Sequence, residues 1–274
     1  MKKILAVSGG VDSMVLMHYF KDDPDIIVAH FNHGTRPSAN ADQKFVKKWA
    51  KEYGLEFVTK KEILGENVSE DKAREARYNF LLETAVRYNG VVFTAHHADD
   101  VIETIAINFV RGTGWRGLVP FSNPGIVHPF LNMSKKGILK YAAENNIVFR
   151  EDPTNHEDRY LRNRIREKLL DLPRSNKKEL AALSAEQDKL KAEIDQQLNL
   201  LIPSELIYQR KWFKKMNDEV AIEILRMGLA ATGRSATRPQ LADFLNAIRT
   251  YAPEKSFNLP GDYLVKMHKT YFML

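Results

Sequence analysis

The 274-residue chain contains no cysteine. That absence excludes disulfides, thiolate zinc sites, cysteine-bound iron–sulfur clusters and a cysteine nucleophile, and it fits a reducing compartment. The chain also lacks long hydrophobic runs. The apolar stretch after Lys3 ends at Ser8, too early for a secretory signal, and no other stretch has the length to cross a bilayer. We therefore expect a cytoplasmic protein that does not contact membranes.

Neither sign of charge dominates the sequence. Lysine and arginine together number 41 against 35 acidic residues, for a formal net charge of +6. Such a mild excess permits binding to nucleic acid without requiring it. The places where basic residues cluster are therefore more informative than their sum.

The first part of the chain alternates short β-branched runs with segments of helical periodicity. Strands are predicted at 3–7, 25–31, 56–59 and 91–95, and helices at 14–20, 41–53, 69–88 (with Ser69 as N-cap) and 100–110. This alternation predicts an α/β fold with a doubly wound, mostly parallel sheet and helices on both faces. In such sheets ligands bind beyond the carboxyl ends of the strands.

The pattern changes after Pro173. Apolar residues then recur three, four or seven positions apart, which predicts one packed face of a long helix. They are Leu180, Leu183, Leu190, Ile194, Leu198 and Leu201. Further helices are predicted at 219–231 and 239–251, and the tail, 255–274, is typical of a small hairpin. The sequence thus divides into a first domain, 1–172, and a smaller, mainly helical domain, 173–274, that ends in a β-hairpin.

The most specific motif is Ser8-Gly9-Gly10-Val11-Asp12-Ser13, between the first predicted strand and helix. Two glycines let the backbone approach an anion, the helix amino terminus aims N–H groups at it, and the serines add hydroxyls. The GK[ST] ending of a Walker loop is absent. A carboxylate beside phosphates is repulsive without a divalent cation between them, so Asp12 predicts Mg²⁺ here. An ordinary strand-to-helix turn is the alternative.

A second motif follows the fourth predicted strand. It comprises Thr94-Ala95-His96-His97-Ala98-Asp99-Asp100, then Glu103-Thr104, then Arg111-Gly112-Thr113-Gly114. Asp100 and Glu103 are three residues apart and therefore face one side of a helix's first turn. Two carboxylates there can hold an ammonium group or a metal ion. The alternative is that acidic residues simply favour helix amino termini.

Basic residues cluster in a helix predicted over 159–170. Guanidinium groups bind phosphates bidentately and stack on bases, so this helix is a candidate for RNA contact. Its basic members are Arg159, Arg162, Arg164, Arg166 and Lys168. The alternative is a solvated face whose charges pair with neighbouring acids. Arg111 and Arg116, with Trp115 between them, are further candidates for contact with an unstacked base.

These motifs resemble a known family. The string SGGVDS resembles the pyrophosphate loop of the N-type ATP pyrophosphatases, which split ATP between its α and β phosphates. The string from His96 to Gly114 resembles the HHADDQAET…RGSG signature of the tRNA(Ile)-lysidine synthetase family. Further matches are His33–Pro37, Ala73–Tyr78, Asp152–Asn155 with Arg162–Arg166, and Leu259–Gly261. The resemblance extends over nearly the whole chain and is to a short form without the far carboxyl-terminal domain of longer members.

The resemblance implies an ATP-dependent ligase acting on tRNA(Ile) with a CAU anticodon. The wobble cytidine would be adenylated with release of pyrophosphate, and the ε-amine of free L-lysine would then displace AMP, which changes codon specificity from AUG to AUA. The resemblance implies that 1–172 is the nucleotide-binding catalytic domain and that the helical domain, 173–274, contacts tRNA. The implied ATP contacts are Ser8–Ser13, His33 and His96, with Mg²⁺ at Asp12, and the implied catalytic residues are Asp12, Asp100, Glu103 and Arg77. The implied lysine contacts are Asp100, Glu103, Arg74 and Arg111, and the implied tRNA contacts are Arg116, Arg159, Arg162, Arg164 and Arg166.

Three other functions were weighed. A tRNA thiolase of the same superfamily is disfavoured because such enzymes usually carry sulfur on cysteine. A small-molecule amide ligase would need neither the basic helix nor the second domain. An RNA-binding module without turnover would not need Asp12, Asp100 and Glu103. A homodimer is left open.

Overall fold

The computed structural model describes residues 1–34, 39–63, 70–123, 125–150 and 161–274. Several predicted features lie outside these residues, namely Thr35–Pro37, the Ser69 N-cap, Asp152–Asn155 and Arg159. In the part of the chain that is described, no helix is both long enough and apolar enough to span a membrane.

A five-stranded, fully parallel sheet forms the centre of the first part of the chain. Its strands are β1 (Lys2–Ala6), β2 (Ile26–Asn32), β3 (Glu56–Lys61), β4 (Gly90–Phe93) and β5 (Ile126–Val127). Their order is β3-β2-β1-β4-β5. Register is fixed by pairs such as Ile4 with Ile27 of β2 and with Val92 of β4. The predicted α/β class and parallel sheet are confirmed.

Helices cover both faces of this sheet because the side chains of its strands alternate in direction. Leu5 and Val28 pack into a cluster with α1 (Val11–Tyr19), α2 (Ala39–Glu52) and α5 (Lys135–Glu144). Ile4 and Ile27 pack into a second cluster with α3 (Glu70–Arg87). A strand buried on both faces is typically a nearly continuous apolar run. Strand β2 is buried over its whole length and is apolar except at His30 and Asn32. Two further helices are α4 (Ala98–Val110) and α6 (Leu161–Leu170).

The strand order creates a switch point beside β1. The chain proceeds from β1 through β2 to β3 on one side and then returns to place β4 on the other side of β1. Crevices that bind ligands open at the carboxyl ends of strands at such a point. The motif after β1 and the motif after β4 therefore flank one crevice.

The remaining elements are α7 (Arg174–Asn199), β6 (Ile207–Gln209), α8 (Arg210–Lys215), α9 (Asp218–Ala231), α10 (Arg238–Thr250), β7 (Ser256–Leu259), β8 (Tyr263–Lys266) and β9 (Tyr271–Met273). The predicted hairpin is present as antiparallel β7 and β8. The last strand, β9, leaves the hairpin and pairs with β6. Phe244 and Phe272 lie fully buried in the core of this part.

The chain forms two compact units. The first comprises 1–111 and 119–184, and the second 112–118 and 185–274. The predicted boundary lies at 172, just before α7, whereas the division between the units falls after Ser184, within this continuous helix. The predicted packing of its apolar stripe is confirmed at Leu198, which is buried, and Leu180 is half-buried. The prediction is wrong at the other four positions, whose side chains remain substantially exposed: Leu183 41%, Leu190 46%, Ile194 39% and Leu201 52%.

Candidate active site

The Ser8–Ser13 loop is a preformed turn between β1 and α1. The Ser13 hydroxyl accepts hydrogen bonds from the backbone N–H groups of Ser8 (3.1 Å) and Gly9 (3.2 Å) and donates to the carbonyl of Gly10 (2.9 Å). Gly9 has φ +104°, a conformation that favours glycine. The first N–H groups of α1, starting at Val11, have no carbonyl acceptor within their own helix. The loop can thus receive an anion, as the sequence predicted.

A lysine from a distant element meets the carboxylate in this loop. Lys135 Nζ donates to Asp12 Oδ1 at 2.5 Å. Lys135 begins α5, and the Asp99 carboxylate accepts its backbone N–H at 2.7 Å. Because Asp99 belongs to the first turn of α4, it ties α5 to the second motif. The crevice therefore contains the ammonium group of Lys135, although the loop itself lacks the lysine of a Walker loop.

Three carboxylates, two from the first turn of α4 and one from α1, lie around one buried imidazole. The Asp100 carboxylate accepts the backbone N–H of His97 at 2.9 Å. His97 Nε2 lies 3.5 Å from Asp100 Oδ2 and 3.8 Å from Asp12 Oδ1, and its Nδ1 lies 3.9 Å from Asp99 Oδ2. His97 is 5% exposed. The structure thus places the carboxylates of Asp12 and Asp100 near one histidine, to which the sequence analysis assigned no role.

Glu103 is engaged by an arginine from the basic helix. Arg166 Nε donates to Oε1 at 2.7 Å and Nη2 donates to Oε2 at 3.0 Å, which is a bidentate pair. This hydrogen bond raises the pKa of Arg166. The Glu103 side chain is 7% exposed and that of Arg166 is 44% exposed. Arg166, predicted to contact tRNA, instead faces the predicted lysine site.

The other predicted residues fall into different surroundings. His33 follows β2 and its ring lies 4.7 Å from that of Phe31. The guanidinium groups of Arg74 and Arg77 lie over the Tyr78 ring at 4.9 and 5.4 Å. Of the basic helix, Arg164 is exposed. Only the backbone of Arg162 is described, within α6.

Two predicted residues are placed away from their expected partners. Arg111 caps the carboxyl end of α4, roughly 16 Å along the helix from Asp100, and so does not join the lysine site. Arg116 lies in the second unit, where it forms ion pairs with Asp195 (2.5 Å) and Glu223 (2.6 Å). Its side chain is 21% exposed. Its charge is therefore engaged by two carboxylates of that unit, and its contact with tRNA stays a prediction.

A cluster of rings lies at the carboxyl ends of β4 and β5. The Thr94 hydroxyl is 2.7 Å from His96 Nδ1 and 2.6 Å from His128 Nδ1, and these two nitrogens are 3.3 Å apart. Phe121 stacks at a tilt on His96, with ring centroids 4.6 Å apart. Because the hydroxyl carries one proton, it can donate to only one of the two imidazoles. His96 was expected at ATP, whereas His128 and Phe121 were not singled out.

This cluster predicts a loss of stability in acid. Burial, together with the charge of Arg74, lowers the pKa of His128 to about 4 from an ordinary value of 6.5. Between these pH values the unfolded chain binds a proton that the folded chain does not, so the free energy of unfolding falls as pH falls from 6.5 towards 4. We expect His128→Gln to flatten that dependence, measured as urea midpoints at pH 7.5 and 5. An equal slope in His128→Gln and wild type would contradict the prediction.

Lys135, which the sequence analysis did not single out, could have been found by one local signal. Lys135 and Lys136 occupy the first turn of α5, after the N-cap Ser134. A helix dipole disfavours cations at that end, so two lysines there indicate a compensating anion. The signal does not name the anion, because 123 positions separate Lys135 from Asp12.

Sequence comparison agrees with this geometry. The PP-loop domain family matches residues 1–172. The chain belongs to the PP-loop domain family. Its matched region contains the whole parallel sheet together with the loop, the α4 motif and Lys135.

Several curated proteins are similar to this chain in sequence. The chain is 38% identical over 182 residues to the tRNA(Ile)-lysidine synthase of Persephonella marina, covering 61% of this chain and 40% of the relative. It is 38% identical over 176 residues to the tRNA(Ile)-lysidine synthase of Streptococcus mutans, covering 60% of this chain and 40% of that protein. The PP-loop chain thus matches less than half the length of these relatives.

A solved structure supports the fold. The U34-tRNA thiolase NcsA of Methanococcus maripaludis, determined with its [4Fe-4S] cluster, superposes with a TM-score of 0.58 at 19% identity, covering 69% of this chain and 72% of that chain. At this identity the likeness concerns the fold alone. The present chain has no cysteine with which to bind such a cluster.

Proposed function

We propose that this PP-loop protein is a tRNA(Ile)-lysidine synthase. The observation that carries the proposal is the convergence at one crevice of the Asp12 loop with Asp100 and Glu103 of α4. The loop is suited to bind phosphates, and the carboxylates of α4 are suited to bind an ammonium group. The similarity to curated tRNA(Ile)-lysidine synthases supports the same reaction.

The first step is adenylation of the wobble cytidine of a CAU-anticodon tRNA(Ile). Its O2 attacks the α-phosphorus of ATP, and the bond to the β-phosphate oxygen breaks to release pyrophosphate. The helix N–H groups behind Gly10 and the ammonium of Lys135 face the charge that develops on the departing group. His33 remains a candidate for the nucleotide, on the β2 side of the loop.

Residues around Asp12 fit a bound Mg²⁺. Magnesium is usually held by one or two carboxylates together with substrate phosphates, so it needs no cluster of protein ligands. Asp12 supplies one carboxylate at the phosphate loop, and the Asp100 carboxylate approaches the same Nε2 atom of His97 as Asp12 does. When bound, the ion would neutralise charge on the pyrophosphate. Asp12 would then exchange its contact with Lys135 for the metal.

The second step uses free lysine. Its ε-amine attacks C2 of the activated base, the C2–O bond to AMP breaks, and the amine must lose a proton, since an ordinary lysine amine has a pKa of about 10.4. Asp100 is our candidate base, and Glu103 our candidate to hold the amine. Arg74 and Arg77 are candidates for the lysine carboxylate or the AMP phosphate. From the proposed reaction on tRNA we infer that the protein works in the cytoplasm.

The RNA must present its wobble base to this crevice. Removing a base from the anticodon stack costs a few kcal/mol, which contacts to the backbone have to offset. Arg164 on α6 is exposed and belongs to the same unit as the crevice. We infer that α6 contributes such contacts.

One incubation tests the function. Purified protein is mixed with ATP, Mg²⁺, labelled lysine and a CAU-anticodon tRNA(Ile) transcript. We expect label in the RNA, with equimolar AMP and pyrophosphate. A transcript with uridine at the wobble position and initiator tRNA, which shares the CAU anticodon, serve as controls that should take up no label. Release of ADP and phosphate, or unlabelled RNA despite ATP turnover, would overturn the proposal.

A further inference from the structure

Helix α8 in the second unit carries an unusual run of residues, Arg210-Lys211-Trp212-Phe213-Lys214-Lys215. Two buried side chains fix its inner face. Phe213 is 1% exposed within the core, and the Arg210 guanidinium donates to the carbonyls of Ile248 (2.9 Å) and Tyr251 (2.6 Å). These positions are three apart and so lie on one side of the helix.

The carboxyl end of α8 is held as firmly as its start. Arg249 Nε donates to the carbonyl of Phe213 at 2.8 Å, and its Nη2 donates to that of Met216 at 2.9 Å. Carbonyls at this end of a helix otherwise lack partners. With both ends anchored, the orientation of the outer face is determined.

That outer face is basic and contains an exposed aromatic ring. Trp212 is 49% exposed, and Lys211, Lys214 and Lys215 are all exposed. Within the part of the chain that the structure describes, none of these lysines forms an ion pair. The nearest acid along the chain, Asp218, is paired with Arg249 at 2.8 Å. The surface therefore keeps its positive charge.

The loop before β9 extends the same surface. Its Thr270 carbonyl accepts the backbone N–H of Arg210 at 2.8 Å, which places the loop beside the first turn of α8. Lys269 in this loop is exposed, and the rings of His268 and Tyr271 stack 4.4 Å apart at 20°. We name Lys211, Trp212, Lys214, Lys215 and Lys269 the α8 surface.

We propose that the α8 surface binds RNA, with its lysines on phosphates and Trp212 stacked on an unpaired base of the tRNA substrate. Cations track a phosphate backbone, and an aromatic side chain on a rigid support accepts any base, at a contribution of about 1–3 kcal/mol per stacked base. The inference deepens the proposed function, on which the identity of the RNA rests.

A lipid surface fits the α8 surface less well. Helices that lie in a membrane interface present a broad apolar face. Here Phe213 points into the protein core, which leaves Trp212 as the exposed apolar residue of α8. One ring gives little apolar area to bury, whereas it is sufficient to stack on one base.

The test measures binding of the CAU-anticodon tRNA(Ile) transcript over a series of salt concentrations. For the K211Q/K214Q/K215Q variant we expect on the order of tenfold weaker binding at 0.1 M salt and a salt dependence lower by two to three ions. Trp212→Ala should weaken binding by a similar factor without changing the salt dependence. Tryptophan fluorescence should be quenched by tRNA in wild type and much less in Trp212→Phe.

A matched control lies on α2, where K44Q/K47Q/K48Q removes the same charge beside Trp49, which packs against the core. It should bind tRNA as wild type does. Wild-type tRNA affinity in the α8 variants would overturn the proposal, as would an effect confined to anionic phosphatidylglycerol vesicles. Failure of the proposed function is seen separately, as absence of labelled lysine in RNA while α8-dependent RNA binding persists.

Discussion

Replacing Asp12 by asparagine is expected to reduce pyrophosphate release by about 10³-fold while the protein remains folded. The amide has the size of the carboxylate but lacks its charge. Its oxygen can still accept a hydrogen bond, but it has no negative charge with which to hold the divalent ion or to form an ion pair with Lys135, whose Nζ lies 2.5 Å from the Asp12 carboxylate. The measurement is the initial rate of pyrophosphate formation with saturating tRNA, ATP and Mg²⁺.

Lys135→Met should behave differently from Asp12→Asn. It removes the cation that faces the phosphates and leaves Asp12 near them uncompensated, so the KM for ATP should rise by on the order of tenfold, with a smaller change in kcat. Excess Mg²⁺ should restore part of the loss in Lys135→Met and none in Asp12→Asn. Rescue of Asp12→Asn by magnesium would contradict the role given to this carboxylate.

Asp25→Asn is the matched control for Asp12→Asn. Asp25 also pairs with a lysine in the first unit, Lys2 at 3.0 Å, but it lies at the amino end of the sheet. Its loss should leave pyrophosphate release unchanged. Equal effects at Asp12 and Asp25 would show that the loop acts through stability alone.

Local pattern was enough to predict the parallel sheet and the loop. The β1 strand, the glycine turn and α1 are consecutive, and their signals do not depend on the rest of the chain. Two elements of the same unit were not predicted, and each omission has a physical reason. Strand β5 has only two residues, Ile126–Val127, and its place is set by pairing with β4. Helix α5 begins with two lysines, which is atypical of a helix amino terminus.

Ion pairs between side chains that are far apart in the chain could not be predicted from the sequence. The motif around Asp100 and the basic helix were both singled out, but for different partners. The structure joins them through Glu103 and Arg166, which are 63 positions apart. Likewise, the period of the α7 stripe predicted burial, yet periodicity gives only the common face of those residues and does not show that another element covers it.

Arg166→Met should lower the free energy of unfolding more than Glu103→Gln does, because the carboxylate of this pair is more deeply buried than the guanidinium. Removal of Arg166 takes a bidentate partner from a carboxylate that is 7% exposed, at a cost of about 3 kcal/mol in the free energy of unfolding. Removal of the Glu103 charge leaves a guanidinium that is 44% exposed and can turn to water, at a cost of about 1 kcal/mol or less. Urea denaturation of both variants and of the double variant measures these costs.

The same three variants decide whether Glu103 holds the substrate amine. If it does, Glu103→Gln should raise the KM for lysine by about 10²-fold and leave pyrophosphate release without lysine near wild type, since adenylation precedes lysine attack. The double variant should regain most of the stability lost in Arg166→Met, because no buried charge is then unpaired, yet it should use lysine as poorly as Glu103→Gln. Normal lysine use in Glu103→Gln would instead assign this carboxylate to anchoring α6 through Arg166, and the ammonium site would then have to be sought at Asp100.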